Sequence, residues 1–573
     1  MPDPSPRPRL VVLVDNDVVG DSRVQKCSIA AAEAGWDVTL LGRSKTGVAD
    51  ELRLGDVLVR RINAPYALLA YERRAPRGRW RYPFSYRDRE QVAMRKRLLD
   101  ARARDVAARR VLGKQEMERL AAEGSVGRAQ ALVVKAGIVG RQYGQEARRY
   151  WHAGRNLQYK RAVAFVKKPH GPWERVRTEA KALVAGRRVW RSYDPLLWDL
   201  ELAFGPAIDA LQPDVIHAND FRMSGIAIRA KARAAARGRD VKVVYDVHEF
   251  VPGVRAHSRR WQLANQANER EYIGQADRVL TVSERLADML KSRYRLPERP
   301  QVVLNAPQFD PDVPPVTTLR KECGVDDDTP LLVYSGGAAP QRGLLTMVDA
   351  LPRLDGVHVA FVVPTNAFTE TVLARAAELG VAGRVHVLPY VAQDQVVPFL
   401  ASATAGVIPI HHFPNHEIAL ITKYFEYAHA RLPIVVSDVE TMAAQTRELG
   451  NGEVFRAEDV DDYVRAVRAV LADRARYSDV YDARPEVLQD WSWERQAAVL
   501  AEVYTQVSGL RPQPRHADVD PAASAALATP SPEAPVRPGG LSAAEPVLDD
   551  DAAADEPAPV RDVEPEPAQG GPA

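Results

Sequence analysis

Two short stretches of this 573-residue chain hold the residue types that could handle a phosphorylated ligand. The first is Tyr334-Ser-Gly-Gly-Ala-Ala-Pro-Gln-Arg-Gly343, where an apolar run enters a glycine-containing loop and a helix is expected to begin near Gly343. Gly336 and Gly337 allow close backbone approach, a helix N-terminus offers free N–H groups to a phosphate, and Arg342 adds a forked cation suited to phosphate oxygens. A plain strand-to-helix turn with an exposed arginine accounts for the same pattern, because glycine loops are weak signals. The second stretch is Asn415-His-Glu-Ile-Ala-Leu-Ile-Thr-Lys-Tyr-Phe-Glu-Tyr427. Lys423 and Glu426 are three apart and share a helix face, where they are either a surface ion pair or a phosphate cation beside a carboxylate that accepts sugar hydroxyls.

The elements that must position these residues alternate. Leu10–Val14, a helical pattern over Arg23–Ala34 and Asp37–Leu41 form a βαβ unit that opens a doubly wound sheet. Strands at Asp214–His217, Val241–Tyr245, Arg278–Val282 and Gln301–Leu304 continue it, with Ser283 as a helix N-cap. A second alternating set has strands at Leu331–Ser335, His358–Val363, Val385–Leu388, Ala405–Pro409 and Ile434–Ser437, with helices expected at Leu344–Leu351 and Gln393–Ala403. The expected architecture is α/β, with two Rossmann-like domains facing a cleft. Ligands bind beyond the C-terminal strand ends of such sheets.

The domain limits follow. Residues 1–9 are a flexible start, and 10–310 form the N-terminal domain with a basic, mainly helical insert at about 65–195. Residues 311–510 form the C-terminal domain, whose last helix is expected to return to the first. Residues 511–573, rich in Pro, Ala and acids, are expected to be disordered. The insert carries 31 Lys/Arg against 11 Asp/Glu between Tyr71 and Trp190, interleaved with Trp80, Tyr150, Trp151, Tyr159 and Trp173. That composition suits a solvated appendage, an anionic membrane surface or a nucleic-acid backbone, of which nucleic acid is not the partner expected. The two cysteines, Cys27 and Cys323, match no metal or redox spacing. No signal peptide and no apolar run of about 18 residues is read, so a cytoplasmic protein is expected, with any membrane contact peripheral at the inner face.

With these motifs in order, the chain resembles the retaining family-4 glycosyltransferases of the GT-B fold (glycosyl transferases group 1). Lys423-Tyr-Phe-Glu-Tyr427 with Leu432-Pro433 resembles that family's N-K-x-F-E-Y…G-L-P-V signature, and the Gly336–Gly343 loop its diphosphate loop. Asp214–Asp220, Asp277–Ser283, Val303–Ala306, Asp21–Lys26 and Gly35–Val38 resemble further family segments. The resemblance implies that Glu426 binds the donor ribose, Arg342 the pyrophosphate and Lys423 the phosphates beside it. It places Gly336 and Gly337 at the close approach, Tyr390 and Val391 at the base, Glu417 near the donor sugar, and His248 and His217 in the cleft. His248, His217, Arg342 and Lys423 are thus the catalytic candidates.

It further implies a sugar moved from a nucleotide-diphosphate-sugar to a glycan or lipid-linked acceptor of the cell envelope, by a hexosyl-type transferase acting with retention and without a metal or cofactor. The chain departs from the pattern at Gly337, where the family has a loop arginine, and at Ile418, Asn219 and Arg431. A catalytically degenerate binding or scaffold protein and a nucleotide-sugar epimerase are the alternatives.

Overall fold

The computed structural model describes residues 7–69, 82–87, 89–121, 124–167, 172–254, 258–308, 312 and 314–513. The expected flexible start at 1–6 and the acidic tail from residue 514 lie outside the described residues, as does Trp80; Trp173 has no described side chain.

The first lobe is an eight-stranded sheet. Its strands are β1 Arg9–Leu13, β2 Asp37–Arg43, β3 Asp50–Leu54, β4 Val57–Ile62, β5 Val215–Asn219, β6 Lys242–Val247, β7 Arg278–Thr281 and β8 Gln301–Val302. They lie in the order β3-β4-β2-β1-β5-β6-β7-β8, and only the β3–β4 hairpin is antiparallel. Strands buried on both faces read as unbroken apolar runs, and β1 does so, with Leu10, Val12 and Val11, Leu13 feeding opposite cores.

The second lobe has six parallel strands: β9 Leu331–Ser335, β10 His358–Val362, β11 Val385–Leu388, β12 Ala405–Ile408, β13 Ile434–Ser437 and β14 Gly452–Phe455. Their order is β11-β10-β9-β12-β13-β14. In each sheet the order reverses beside the first strand, at β1/β5 and at β9/β12, which opens the crevice where such sheets bind ligands. Leu10 pairs with Val38 and Val215, and Leu332 with Val359 and Ala405, which fixes both registers.

Direct bonds join the lobes. Gln393 donates to Ser22 Oγ (2.6 Å), the Phe250 N–H to Asn415 Oδ1 (2.9 Å), and Ser283 Oγ to the Ile418 carbonyl (2.7 Å). Ile418 itself packs into the first lobe's core. The helix Trp493–Ser508 lies on the first lobe, with the Tyr504 ring 5.9 Å from that of Trp36.

Several elements differ from the sequence reading. The β3–β4 hairpin and β14 add strands, the helix expected at Gln393–Ala403 is a 3₁₀ turn followed by Val396–Leu400, and β8 ends at Val302. The interruption holds two long helices, Arg89–Ala121 and Gly124–Lys167. No helix among the described residues is long and apolar enough to cross a membrane.

Candidate functional site

The loop after β9 is shaped by two glycines. Gly336 has φ +138°, and a Cβ there would lie 2.7 Å from Lys423 Nζ. Gly343 has φ +74° and passes so close to the Pro409 carbonyl that a Cβ would sit 1.7 Å from its oxygen. Only glycine fits either place. Tyr334 donates its hydroxyl to the Gly337 carbonyl (2.8 Å), the Ser335 N–H donates to the Tyr427 hydroxyl (3.0 Å), and the His411 N–H donates to the Gln341 carbonyl (3.0 Å). The turn Pro340–Arg342 then carries the Arg342 guanidinium, which makes no hydrogen bond or ion pair among the described residues.

Across from this loop the helix Thr422–His429 presents Lys423 and Glu426. Lys423 Nζ stands 3.7 Å above the Tyr334 ring and is buried. Burial, reinforced by the charge of Arg342, holds the ammonium well below the usual lysine range. Burial raises the Glu426 carboxyl, against the pull of Lys423 and of Lys26 from the first lobe. Lys26 is itself pushed down to about 7 by burial, donates to the Ala306 carbonyl and lies 4.6 Å from the Trp493 ring centre. The Tyr390 phenol, raised by burial, is influenced by both Arg342 and Glu426 and belongs to the same place. Val391 is half-buried in the adjoining core. Arg342, Lys423 and Glu426 therefore converge, and no hydrogen bond or ion pair joins any of the three to another side chain among the described residues. Three adjacent ionisable groups left in this way are an arrangement that a charged ligand completes.

Glu417 is placed differently. One carboxylate oxygen accepts the Glu440 N–H at the start of the helix Glu440–Leu449 (2.8 Å), and the other lies 2.7 Å from His412 Nδ1. His412 in turn meets Asp438 Oδ1 at 2.9 Å. Both Glu417 oxygens are thus engaged, one by a helix start and the other by an imidazole. The residue that sequence reasoning missed is His416. It is 6% exposed, its Nδ1–H donates to the His411 carbonyl (2.7 Å), and burial lowers it to about 4, with Arg342 pushing the same way. A neutral imidazole therefore borders Arg342. The only signal was its place in the Phe413-Pro-Asn-His416 turn.

The two histidines of the first lobe separate. His248 ends β6 and faces Asp220 Oδ1 (3.3 Å) and Asp246 Oδ2 (3.4 Å). Burial alone would lower it, but the two carboxylates raise it to about 10, so it is an imidazolium at neutral pH and suits positioning better than proton abstraction. Beside it, burial lifts the Glu249 carboxyl to about 8, further raised by Asp220 and opposed by His248, Arg222 and Arg342. His217 is 0% exposed, with Nδ1 2.7 Å from the Tyr504 hydroxyl. The C-terminal helix, through Tyr504, covers its face of β5. Beneath both rings, Arg23 grips Asp246 with two bonds (2.9 and 3.0 Å) and donates to the Val303 carbonyl (2.8 Å).

Comparison with known proteins bears on the fold and on the two lobes. A Glycosyltransferase Family 4 model matches residues 150–306, and a Glycosyl transferases group 1 model matches residues 329–473. D-inositol 3-phosphate glycosyltransferase of Geodermatophilus obscurus is 27% identical over 256 residues, covering 42% of this chain and 55% of the relative. The lipopolysaccharide core biosynthesis glycosyltransferase of Rhizobium meliloti is 24% identical over 193 residues, covering 34% and 54%. The chain thus spans a little over half the length of these curated relatives. The sucrose-phosphate synthase of Thermosynechococcus elongatus superposes with a TM-score of 0.54 at 14% identity, over 88% of this chain and 100% of that one. The chain has the GT-B fold, and each lobe carries a glycosyltransferase-family domain.

Proposed function

We propose that this chain transfers a sugar from a nucleotide-diphosphate-sugar to a glycan or lipid-linked acceptor of the cell envelope, with retention of anomeric configuration. The observation that carries the reading is the convergence of Arg342, Lys423 and Glu426 at the crevice beside β9, where no hydrogen bond or ion pair joins any of them to another side chain among the described residues. The sugar–phosphate bond breaks as negative charge grows on the leaving diphosphate, and preorganised cations stabilise that charge. The reading assigns this countercharge to Arg342 and Lys423 rather than to a metal ion or cofactor. Glu426 accepts the ribose hydroxyls, Tyr390 and Val391 border the base, and imidazolium His248 orients the sugar. The envelope acceptor is supported by the lipopolysaccharide-core relative. The transferase acts in the cytoplasm, at the inner face of the membrane.

The test is a panel of nucleotide-sugars assayed for transfer, hydrolysis and binding. Glu426→Gln is expected to weaken donor binding by roughly 1.5–3 kcal/mol, a loss of charge-assisted hydroxyl bonds seen as an increased Kd in calorimetry. An unchanged Kd removes the ribose assignment. Binding without turnover would instead favour a binding protein, and acceptor-independent epimer formation an epimerase.

Lys423 adds a pH signature. Burial and the charge of Arg342 depress its ammonium, and an arriving diphosphate favours the charged form. Donor binding is therefore expected to take up protons at pH values between the lowered lysine range of the free protein and the higher range of the complex, measured by calorimetry in buffers of different ionisation enthalpy. The uptake should vanish in Lys423→Met. Proton release on binding by the unmodified chain would contradict the assignment.

A further inference from the structure

The helix Gly124–Lys167 has an apolar face where solvent should demand a polar one. Its inner face packs on Arg89–Ala121: Gln145 donates to the Leu99 carbonyl (2.9 Å), and Ile138 stands against Gly113. On the opposite side lie Leu132 (67% exposed), Val139 (38%), Tyr143 (69%), Tyr150 (78%) and Leu157 (48%). The steps of seven, four, seven and seven residues keep all five within about 20° of one line along an α-helix, over roughly 37 Å. Exposed Arg128 and Arg161 stand at its two ends and Lys135 flanks it. Between Arg89 and Lys167 there are 19 Lys/Arg against 7 Asp/Glu.

An apolar stripe of this length that no described residue covers is an interaction surface. Its chemistry selects the partner. Tyrosines with an apolar body and a polar tip, leucines, and a surround of cations are the composition of a helix that lies in the plane of a lipid headgroup layer. The seven-residue spacing would also serve pairing with a second copy, but two such cationic rods repel each other, whereas an anionic bilayer attracts them.

We propose that the exposed stripe Leu132–Leu157 docks the protein flat on an anionic lipid surface. This rests on the helical hairpin alone and is independent of the sugar-transfer reading. The full chain is floated with vesicles of phosphatidylcholine alone and of an equimolar phosphatidylcholine–phosphatidylglycerol mixture. It is expected to bind only the anionic vesicles, less tightly as salt rises. Tyr143→Glu/Tyr150→Glu is expected to lower that binding by about tenfold or more. Leu202→Glu, an exposed apolar position on the helix Leu196–Leu211, is expected to leave it unchanged. Circular dichroism and thermal melting confirm that each variant is folded. The proposal is overturned if the double variant binds as tightly as the parent, if neutral vesicles bind equally well, or if the parent is a dimer that the double variant splits while no vesicle is bound.

Discussion

Replacing Arg342 by alanine is expected to lower kcat for sugar transfer by roughly 10²–10³, about 2.7–4 kcal/mol of transition-state stabilisation, while the protein melts as before. The two halves of that expectation have separate causes. The guanidinium makes no hydrogen bond or ion pair among the described residues, so its removal strands no partner, and the Pro340–Arg342 turn is held by backbone bonds. Its effect lies with the ligand, where charge develops on the diphosphate. Burial and Arg342 together depress the ammonium of neighbouring Lys423. Loss of Arg342 relieves part of that depression, so the same variant should take up fewer protons on binding donor. Single-turnover assays on the best donor of the panel, with melting curves alongside, check both parts. A fall in kcat of less than about threefold would remove Arg342 from the reaction.

What the sequence made legible, it did through local periodicity. Lys423 and Glu426 are three apart on a helix, so their shared face needs no knowledge of the rest of the chain. In the β9 loop the sequence pointed to close approach at Gly336 and Gly337, whereas the structure has its close approaches at Gly336, to Lys423, and at Gly343, to Pro409. What was not legible depended on distant partners or single-residue register. His217 lies on a strand whose outer face is covered by Tyr504, 287 residues away. Glu417 and Ile418 part within one short turn: the carboxylate accepts the N–H at a helix start of its own lobe, and the isoleucine enters the core of the other. The β3–β4 hairpin hid behind charge. Its cross-strand pairs Arg60–Glu51 and Arg61–Asp50 resemble loop composition until they are set opposite one another. Arg23 was read only as part of a motif, because nothing local shows that Asp246 lies against it.

That pair supports the second large expectation. Arg23→Ala should destabilise the first lobe by about 3 kcal/mol, the low end of the cost of breaking a buried ion pair, since imidazolium His248 still faces Asp246. Asp246 is 0% exposed; burial would raise its carboxyl, but Arg23 together with His248 and His217 holds it well below the usual carboxylate range. Without the guanidinium, the carboxylate keeps only His217 at 3.5 Å and His248 at 3.4 Å, and the Val303 carbonyl loses its donor. Against the 5–15 kcal/mol that usually stabilises a domain, this is a large fraction. Arg23→Lys should restore the charge but not the two-pronged grip, and fall between parent and alanine variant. Arg23→Ala combined with Asp246→Asn should cost less than the two single changes added together, since the stranded charge is gone. Denaturant melts of the four proteins measure this. Strict additivity would mean that Arg23 acts by packing alone. A large coupling would show that the floor under His248, and so the cleft face of the first lobe, is set by one salt bridge between the first helix and β6.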